Sequence, residues 1–316
     1  MARSTGKVLA KVLMRTIAII CKQLGFQSRI GRRLVRDYRV LVSLSILALL
    51  SLSILLGPVI YSQDPGTIDF AQSLLPPSLA NPLGTNDLGQ DQLARILWGG
   101  RVSLSVAFTA ALVSTSVGTF VGVLSGFFGG WWDGILMRLT DLFLALPQLP
   151  LLLLLVYLFR DSLKRWVGPE LGIFVLVVVA IGGLSWMSVA RLVRGEVLKL
   201  RELEFVSAAI ALGAHPIEIL WRHILPNVLG LITVAATLAI GNAIIVESTL
   251  SFLGLGFPPD VPTWGRMLYD AQNFLTIAPY IALVPGGAIF LTVLSVNYLG
   301  EGLRDVFDPH TRSPNS

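Results

Sequence analysis

Six stretches of the chain are apolar over about 20 residues or more, near 40–61, 102–127, 135–159, 171–190, 228–251 and 279–300. About 20 residues of helix, at roughly 1.5 Å per residue, cross the hydrocarbon core of a bilayer. A helix also satisfies its own backbone hydrogen bonds, as lipid requires. The pattern predicts an all-α, polytopic membrane protein with six transmembrane helices. It divides the chain into a segment 1–39, a first span at 40–61, a polar loop 62–101, a core 102–300 and a tail 301–316. The core contains one long polar insert, residues 191–227.

The spans have internal punctuation. Ser114, Gly118, Gly122 and Gly126 recur every four residues on one face of the second span. Small residues at that spacing let another helix approach closely. Packing within the chain explains them more simply than a subunit interface. Pro147 and Pro150 predict a bend in the third span, and Pro285 one in the sixth, because each removes a backbone donor. The loops 62–100 and 252–278 are rich in Pro, Gly and Asp and predict short ordered segments rather than separate domains.

The insert 191–227 is too polar to span and too patterned to be a linker. Val197, Leu198, Leu203, Val206, Ala209 and Leu212 share helical faces. Gly213 is placed to stop a helix and Pro216 to start the next one. Pro226 then predicts the end of that second helix before the fifth span. The expectation is a helix, a sharp glycine turn and a second helix. Such a corner serves either to dock a partner or to lie on lipid headgroups.

Composition agrees with the spans. Of 316 residues, 54% are hydrophobic and 14% charged, with mean hydropathy +0.74. A soluble domain carries about 25% charged residues. The net charge of +5 invites a nucleic-acid reading, but nine Lys and Arg cluster before residue 37, flanking an apolar span. That is the signature of a cytoplasmic flank, and nucleic acid is not an expected partner. With the N-terminus inside, 18 of the 24 Lys and Arg fall on inner segments, which predicts N-in, C-in. The basic loop at Arg160, Lys164 and Arg165 dissents locally. Residues 7–22 read either as a helix lying on the inner leaflet or as a basic tail that only sets topology. The run 40–60 is too long and too far from the start for a cleavable signal peptide.

Candidate chemistry is sparse. One cysteine, Cys21, forms no internal disulfide, and His215, His223 and His310 show no metal-ligand spacing. Neither a metal nor a cofactor is expected. Glu247 lies inside the fifth span with Asn242 before it, and a carboxylate at that depth needs water or a partner. The pair is a candidate for the wall or gate of a translocation path; the other reading of Glu247 is a structural hydrogen bond to a neighbouring helix. Asp141 and Asn297 raise the same question, and Asp141 reads as a helix-end or packing residue.

The insert carries a resemblance. Ser207-Ala208-Ala209-Ile210-Ala211-Leu212-Gly213, followed after nine residues by His223-Ile224-Leu225-Pro226, resembles the "EAA" loop of bacterial ATP-binding-cassette (ABC) importer permeases, which runs E-A-A-x-x-x-G and then I-x-L-P. Ser207 stands where that motif has Glu, and His223 where it has Ile. Glu204 is the nearest preceding carboxylate. Further matches follow in order. Asn81-Pro82-Leu83-Gly84-Thr85-Asn86-Asp87-Leu88-Gly89-Gln90-Asp91 is similar to H-P-L-G-T-D-x-x-G-R-D. Gly126 to Trp131 is similar to G-Y-F-G-G-W, and Ala190 to Gly195 matches A-R-L-V-R-G. Leu250 to Gly256 matches L-S-F-L-G-L-G, and Trp264-Gly265, Gly302 to Asp305 and Asp308-Pro309 complete the series. On these motifs, residues 80–309 resemble the "C"-type permeases of dipeptide, oligopeptide and nickel importers.

The resemblance implies a multi-pass subunit of the bacterial inner membrane that pairs with a second, related permease in contact with membrane lipid. It implies two separate ATPase subunits docked on the inner loops and an extracytoplasmic substrate-binding protein. Glu204, Ser207, Ala208, Ala209, Gly213, Ala214, His223, Leu225 and Pro226 would form the ATPase-coupling loop. The chain itself has no G-x-x-x-x-G-K-[ST] phosphate loop, so it is not expected to be an enzyme. Peptides or a related small solute are the implied cargo. A stand-alone secondary transporter or channel is the alternative; it predicts inverted repeats and no use for a helical corner.

Overall fold

The computed structural model describes residues 37–307. Asp308-Pro309 and the basic segment with its proposed surface helix at 7–22 lie outside the described residues. Among the described residues the secondary structure is helical, with no strand. The all-α polytopic expectation therefore holds. Five helices are long and apolar enough to cross a membrane, and six if one bent pair is a single span.

Helix α1 (Tyr38–Ile60) starts at Asp37, whose carboxylate accepts from the Arg39 amide at 2.9 Å. Helix α2 (Gln92–Phe128) begins ten residues before its apolar run. Asp91 caps it by accepting from the Ala94 amide at 2.7 Å. The extra turns carry Arg101, which donates to the Ile54 and Leu55 carbonyls of α1 at 3.0 and 2.8 Å.

The predicted third span is broken. Helices α3 (Gly130–Ala145) and α4 (Gln148–Val167) meet at 89°. Leu146 precedes a proline and is extended, with φ −80° and ψ 140°. Pro147 has no amide hydrogen to continue the ladder. Pro150, also expected to bend the span, falls in the first turn of α4, where a missing donor costs nothing.

Helix α5 (Pro169–Arg201) runs eleven residues past its apolar stretch. It lies against α2, and the small-residue stripe makes that contact. A Cβ added at Gly118 would sit 2.6 Å from the Trp186 carbonyl oxygen, and one at Gly122 would sit 2.6 Å from that of Ala190. The stripe is thus used within the chain. A short helix α6 (Glu204–Ala211) and a single turn α7 (Pro216–Ile219) follow. A π-turn, Leu220–Ile224, leads into α8 (Leu225–Phe252). Then come α9 (Trp264–Ala271) and α10 (Tyr280–Phe307). Helix α10 continues unbroken through Pro285. The central core joins Val106 and Ala110 of α2, Leu152 and Val156 of α4, Ile173 and Ile181 of α5, and Ile244 and Leu250 of α8.

The bundle has two distinct ends. One is capped by residues 62–91 and 253–279, which pack together where Leu74 meets the cluster of Ala271, Ala278 and Ile281. Arg95, only 2% exposed, pairs with Asp270 at 3.3 Å, and Asp270 also meets Arg266 at 3.0 Å. Burial pushes the Asp270 carboxyl up, against the pull of Arg266 and Arg95. The Tyr280 hydroxyl donates to the Leu75 carbonyl at 2.8 Å, and that of Tyr61 donates to Asp91 at 2.9 Å. The opposite end gathers the start of α1, the turn between α2 and α3, α6, α7 and the end of α10. There Gly302 admits Val40 and Gly230 admits Phe307. Arg201 donates to the Phe127 carbonyl at 2.8 Å, satisfying an orphan acceptor at the end of α2. Arg194 grips Asp133 of α3 through two bonds of 2.6 Å, and Arg191 pairs with Asp141.

Candidate functional site

The polar insert builds a compact elbow on that second end. Its first helix is α6 alone, because α5 does not stop until Arg201; Glu202 and Leu203 form the break. The predicted shared face is correspondingly reduced. Val197 and Val206 are buried, while Leu203 and Leu212 are exposed, Leu212 at 88%.

The glycine turn closes as a Schellman motif. The Ala214 amide donates to the Ala209 carbonyl at 3.1 Å, and the Gly213 amide to that of Ile210 at 3.0 Å. Gly213 has φ +81°, a conformation that L-residues adopt at a cost. Ala209 and Ala214, the residues that such a motif brings into apolar contact, both pack on the same buried cluster. His215 then caps α7 through a 3.4 Å acceptance from the Ile217 amide, and Pro216 takes its first position.

Pro226 does not end the second helix, contrary to expectation. Helical structure continues from Pro216 to Phe252. A proline ring inside an α-helix clashes with the carbonyl four residues earlier. The preceding wide turn absorbs that demand: the Leu225 amide reaches the Leu220 carbonyl, and the Asn227 side chain donates to the His223 carbonyl at 2.6 Å.

Three side chains pin the elbow to the bundle. Val206, Ile219 and Ile224 are buried in one cluster with Val193, Val197 and Leu200 of α5, Val228 of α8 and Val123 of α2. The opposite face of α6 is open. Glu204, Ser207, Ala208 and Ala211 are all exposed, and at about 100° per residue they fall on one side, away from Val206. His223 is half-buried, its ring 6.1 Å from that of Phe205, and Leu225 is half-buried beside it. Arg222 and Glu218 pair on the outside at 3.3 Å. The anchors were not singled out in the sequence apart from Val206, because Ile219 and Ile224 look like any other apolar residues of a helix.

The second candidate pair is not assembled. Asn242 is exposed and Glu247 wholly buried, on different faces of α8. Glu247 accepts from Ser251 at 2.9 Å, Ser103 at 3.3 Å and Ser248 at 3.4 Å. Ser103 in turn accepts from the Trp264 amide at 3.1 Å, and the Trp264 indole donates to the Ile96 carbonyl at 3.1 Å. This knot ties α2, α8 and α9 together under the cap. Gly265 fits only because a Cβ there would lie 2.5 Å from Ser248 Cα. Ser103 and Trp264 lie 144 and 17 residues from Glu247 in the chain, so local pattern gave no hint of their meeting.

The chain is thus a bundle of apolar, span-length helices with a helical elbow pinned at one end and two packed loops at the other. The chain belongs to the family of binding-protein-dependent transport system inner membrane components, whose model matches residues 118–313. A model of the N-terminal transmembrane domain of oligopeptide transport permease C matches residues 26–77. The chain is similar to the oligopeptide transport system permease protein OppC of Escherichia coli K12, with 40% identity over 283 residues, 89% of this chain and 90% of that protein. It is 39% identical over 237 residues, 75% of each chain, to the glutathione transport system permease protein GsiD of Pectobacterium atrosepticum. The inward facing MetNI methionine ABC transporter contains a chain of the same fold, with a TM-score of 0.53 at 20% identity over 68% of this chain and 96% of that one. These relatives do not favour a stand-alone channel or secondary transporter.

Proposed function

We propose that the chain is one permease half of a bacterial inner-membrane importer of peptides, and that its elbow is where a separate ATPase docks. The elbow carries the reading. Val206, Ile219 and Ile224 fix it to α2, α5 and α8, so a push on it reaches the bundle rather than a slack loop. Glu204, Ser207 and Ala208 face outward, with Gly213 setting the corner and Ala209, Ala214, His223, Leu225 and Pro226 supporting it.

Orientation follows from charge. The segments at the elbow end, with both tails, hold 18 of the 24 Lys and Arg, which puts that end in the cytoplasm and both termini inside. The cap of residues 62–91 and 253–279 then faces outward, towards a substrate-binding protein. A second, related permease completes the path, and peptides are the cargo, as the names of the oligopeptide and glutathione relatives suggest. Asn242 is available to the path, and Glu247 acts by holding the cap on α8.

Co-purification tests the docking. The wild-type chain, expressed with its second permease and ATPases, should bring the ATPases out of detergent. Ser207→Trp and Ala208→Trp, bulky changes on an open face, should lose them while the permease pair stays intact. A wild-type pair that never retains an ATPase would refute the assignment.

A further inference from the structure

Helix α3 departs from the axis of the bundle. Helix α4 lies antiparallel along α5: Gln148 donates to the Ser185 hydroxyl at 3.4 Å, and near the other end a Cβ added at Gly172 would sit 2.8 Å from the Leu163 carbonyl oxygen. Helix α3 meets α4 at 89°, so it lies across α5 rather than beside it. Ion pairs set its level. Asp133 is held by Arg194 and the Ser125 hydroxyl, and Asp141 by Arg191. Arg191 is the first residue past the apolar stretch of α5, and Gly130 starts α3 just past that of α2. Helix α3 therefore lies where both spans leave the hydrocarbon.

Its polarity is the reverse of a helix on a water-soluble protein. At about 100° per residue, Trp131, Trp132, Ile135, Leu139 and Leu142 fall in one sector about 100° wide. All five are exposed, by 43% to 71%. Asp133, Thr140 and Asp141 fall on the other side, where Thr140 is buried and both carboxylates are paired with α5. The exposed Arg138 borders the apolar sector.

Lipid suits such a face and water does not. Trp favours the boundary between acyl chains and headgroups, and the two indoles stand edge to face there, centroids 5.4 Å apart. A helix with Trp and Leu along one side settles in that boundary with its axis in the membrane plane. An Arg at its border reaches headgroup phosphates. A seat for another protein carries a polar rim around its apolar centre; here the acids that could supply one are turned away, bound to α5.

Resting on the permease reading and its orientation, we propose that α3 is an in-plane helix set in the inner leaflet, with its Trp131, Trp132, Ile135, Leu139 and Leu142 face against lipid, and that it holds α5 at a fixed depth through Arg191 and Arg194. Helix α5 ends at Arg201, where the elbow begins, so α3 is the footing against which a push on the elbow acts. The third crossing then belongs to α4, whose 20 residues reach about 30 Å.

Depth-dependent fluorescence quenching tests the placement in the complete transporter, reconstituted in proteoliposomes with Cys21→Ser as background. Ile135→Cys, Leu139→Cys and Leu142→Cys, each labelled with bimane, are compared with Leu49→Cys at the middle of α1. Lipids with a nitroxide high on the acyl chain should quench the three α3 labels more than lipids with one near the chain end, in the same ratio at each position. Leu49→Cys should show the opposite order. A ratio that shifts steadily from Ile135 to Leu142 would make α3 part of an upright span. Labels that lipid nitroxides quench at neither depth would give the face to the second permease. Either result overturns the placement. ATP hydrolysis on the same vesicles tests the footing. Trp131→Gln combined with Trp132→Gln should keep basal hydrolysis and lose most of its stimulation by loaded binding protein; full stimulation overturns the footing. If the wild-type transporter is stimulated yet the depth pattern fails, this inference alone falls; if no ATPase assembles, the importer reading falls, and the depth pattern still decides the placement.

Discussion

Replacing Gly213 by valine separates backbone geometry from every other property of the elbow. A Cβ at this position meets nothing within 4 Å, so the substitution causes no clash. The penalty comes from φ +81° alone. For an ordinary L-residue that conformation costs about 1–2 kcal/mol, and a β-branched one sits at the upper end of the roughly 1–3 kcal/mol range for strained backbone. Relief requires giving up the two Schellman bonds, which swings α6 relative to α7. The bundle does not depend on this turn, because Val206, Ile219 and Ile224 are held by their own contacts. Gly213→Val should therefore insert and fold normally but lose most of the ATP hydrolysis that loaded binding protein elicits in proteoliposomes. Gly213→Asn should recover much of it, since Asn tolerates the left-handed region, and Gly213→Ala should fall between. Full stimulation in the valine variant would refute the role of the corner. Asparagine as damaging as valine would show that the surface, not the backbone angle, matters there.

Other consequences concern the bundle. Gly122→Ala should destabilise the chain by about 1–3 kcal/mol, because its methyl group would press on the Ala190 carbonyl, while Gly183→Ala on α5, with open space around it, should be neutral or stabilising by up to about 1 kcal/mol; thermal melting of the purified complexes compares them. Glu247→Ala should cost about 2–4 kcal/mol, from the cavity and from the stranded hydroxyls of Ser103 and Ser251, and Glu247→Gln much less; equal melting temperatures would dissolve the proposed knot. Tyr61→Phe should cost about 0.5–1.5 kcal/mol, because the Tyr61 hydroxyl donates to the Asp91 carboxylate that caps α2; an unchanged melting temperature would show that this bond contributes nothing.

Legibility in the sequence followed the range of each interaction. The elbow's turn was readable because Gly213 and Pro216 act on their own backbone. The same logic misjudged Pro226, whose effect depended on whether the preceding turn was α or π. It located the bend of the third span but not its size; the 89° corner needs α4 to find a berth on α5. The stripe at Gly118 and Gly122 was visible, and its partner, α5, was a choice among several apolar helices. Glu247 stood out by its depth, and its partners did not, since Ser103 arrives from 144 residues away.

The order of apolar spans, the all-helical class, the basic bias of one side and the corner at Gly213 were determined by the sequence alone. Each follows from local hydropathy, charge or backbone preference. The tertiary structure decided which faces meet. It placed Val206, Ile219 and Ile224 under the elbow, laced Arg95 to Asp270 across the cap, enclosed Glu247 among serines and turned Asp133 and Asp141 of α3 towards α5. Apolar helices in lipid are nearly interchangeable until shape and hydrogen bonding choose their neighbours, and that choice involves residues far apart in the chain.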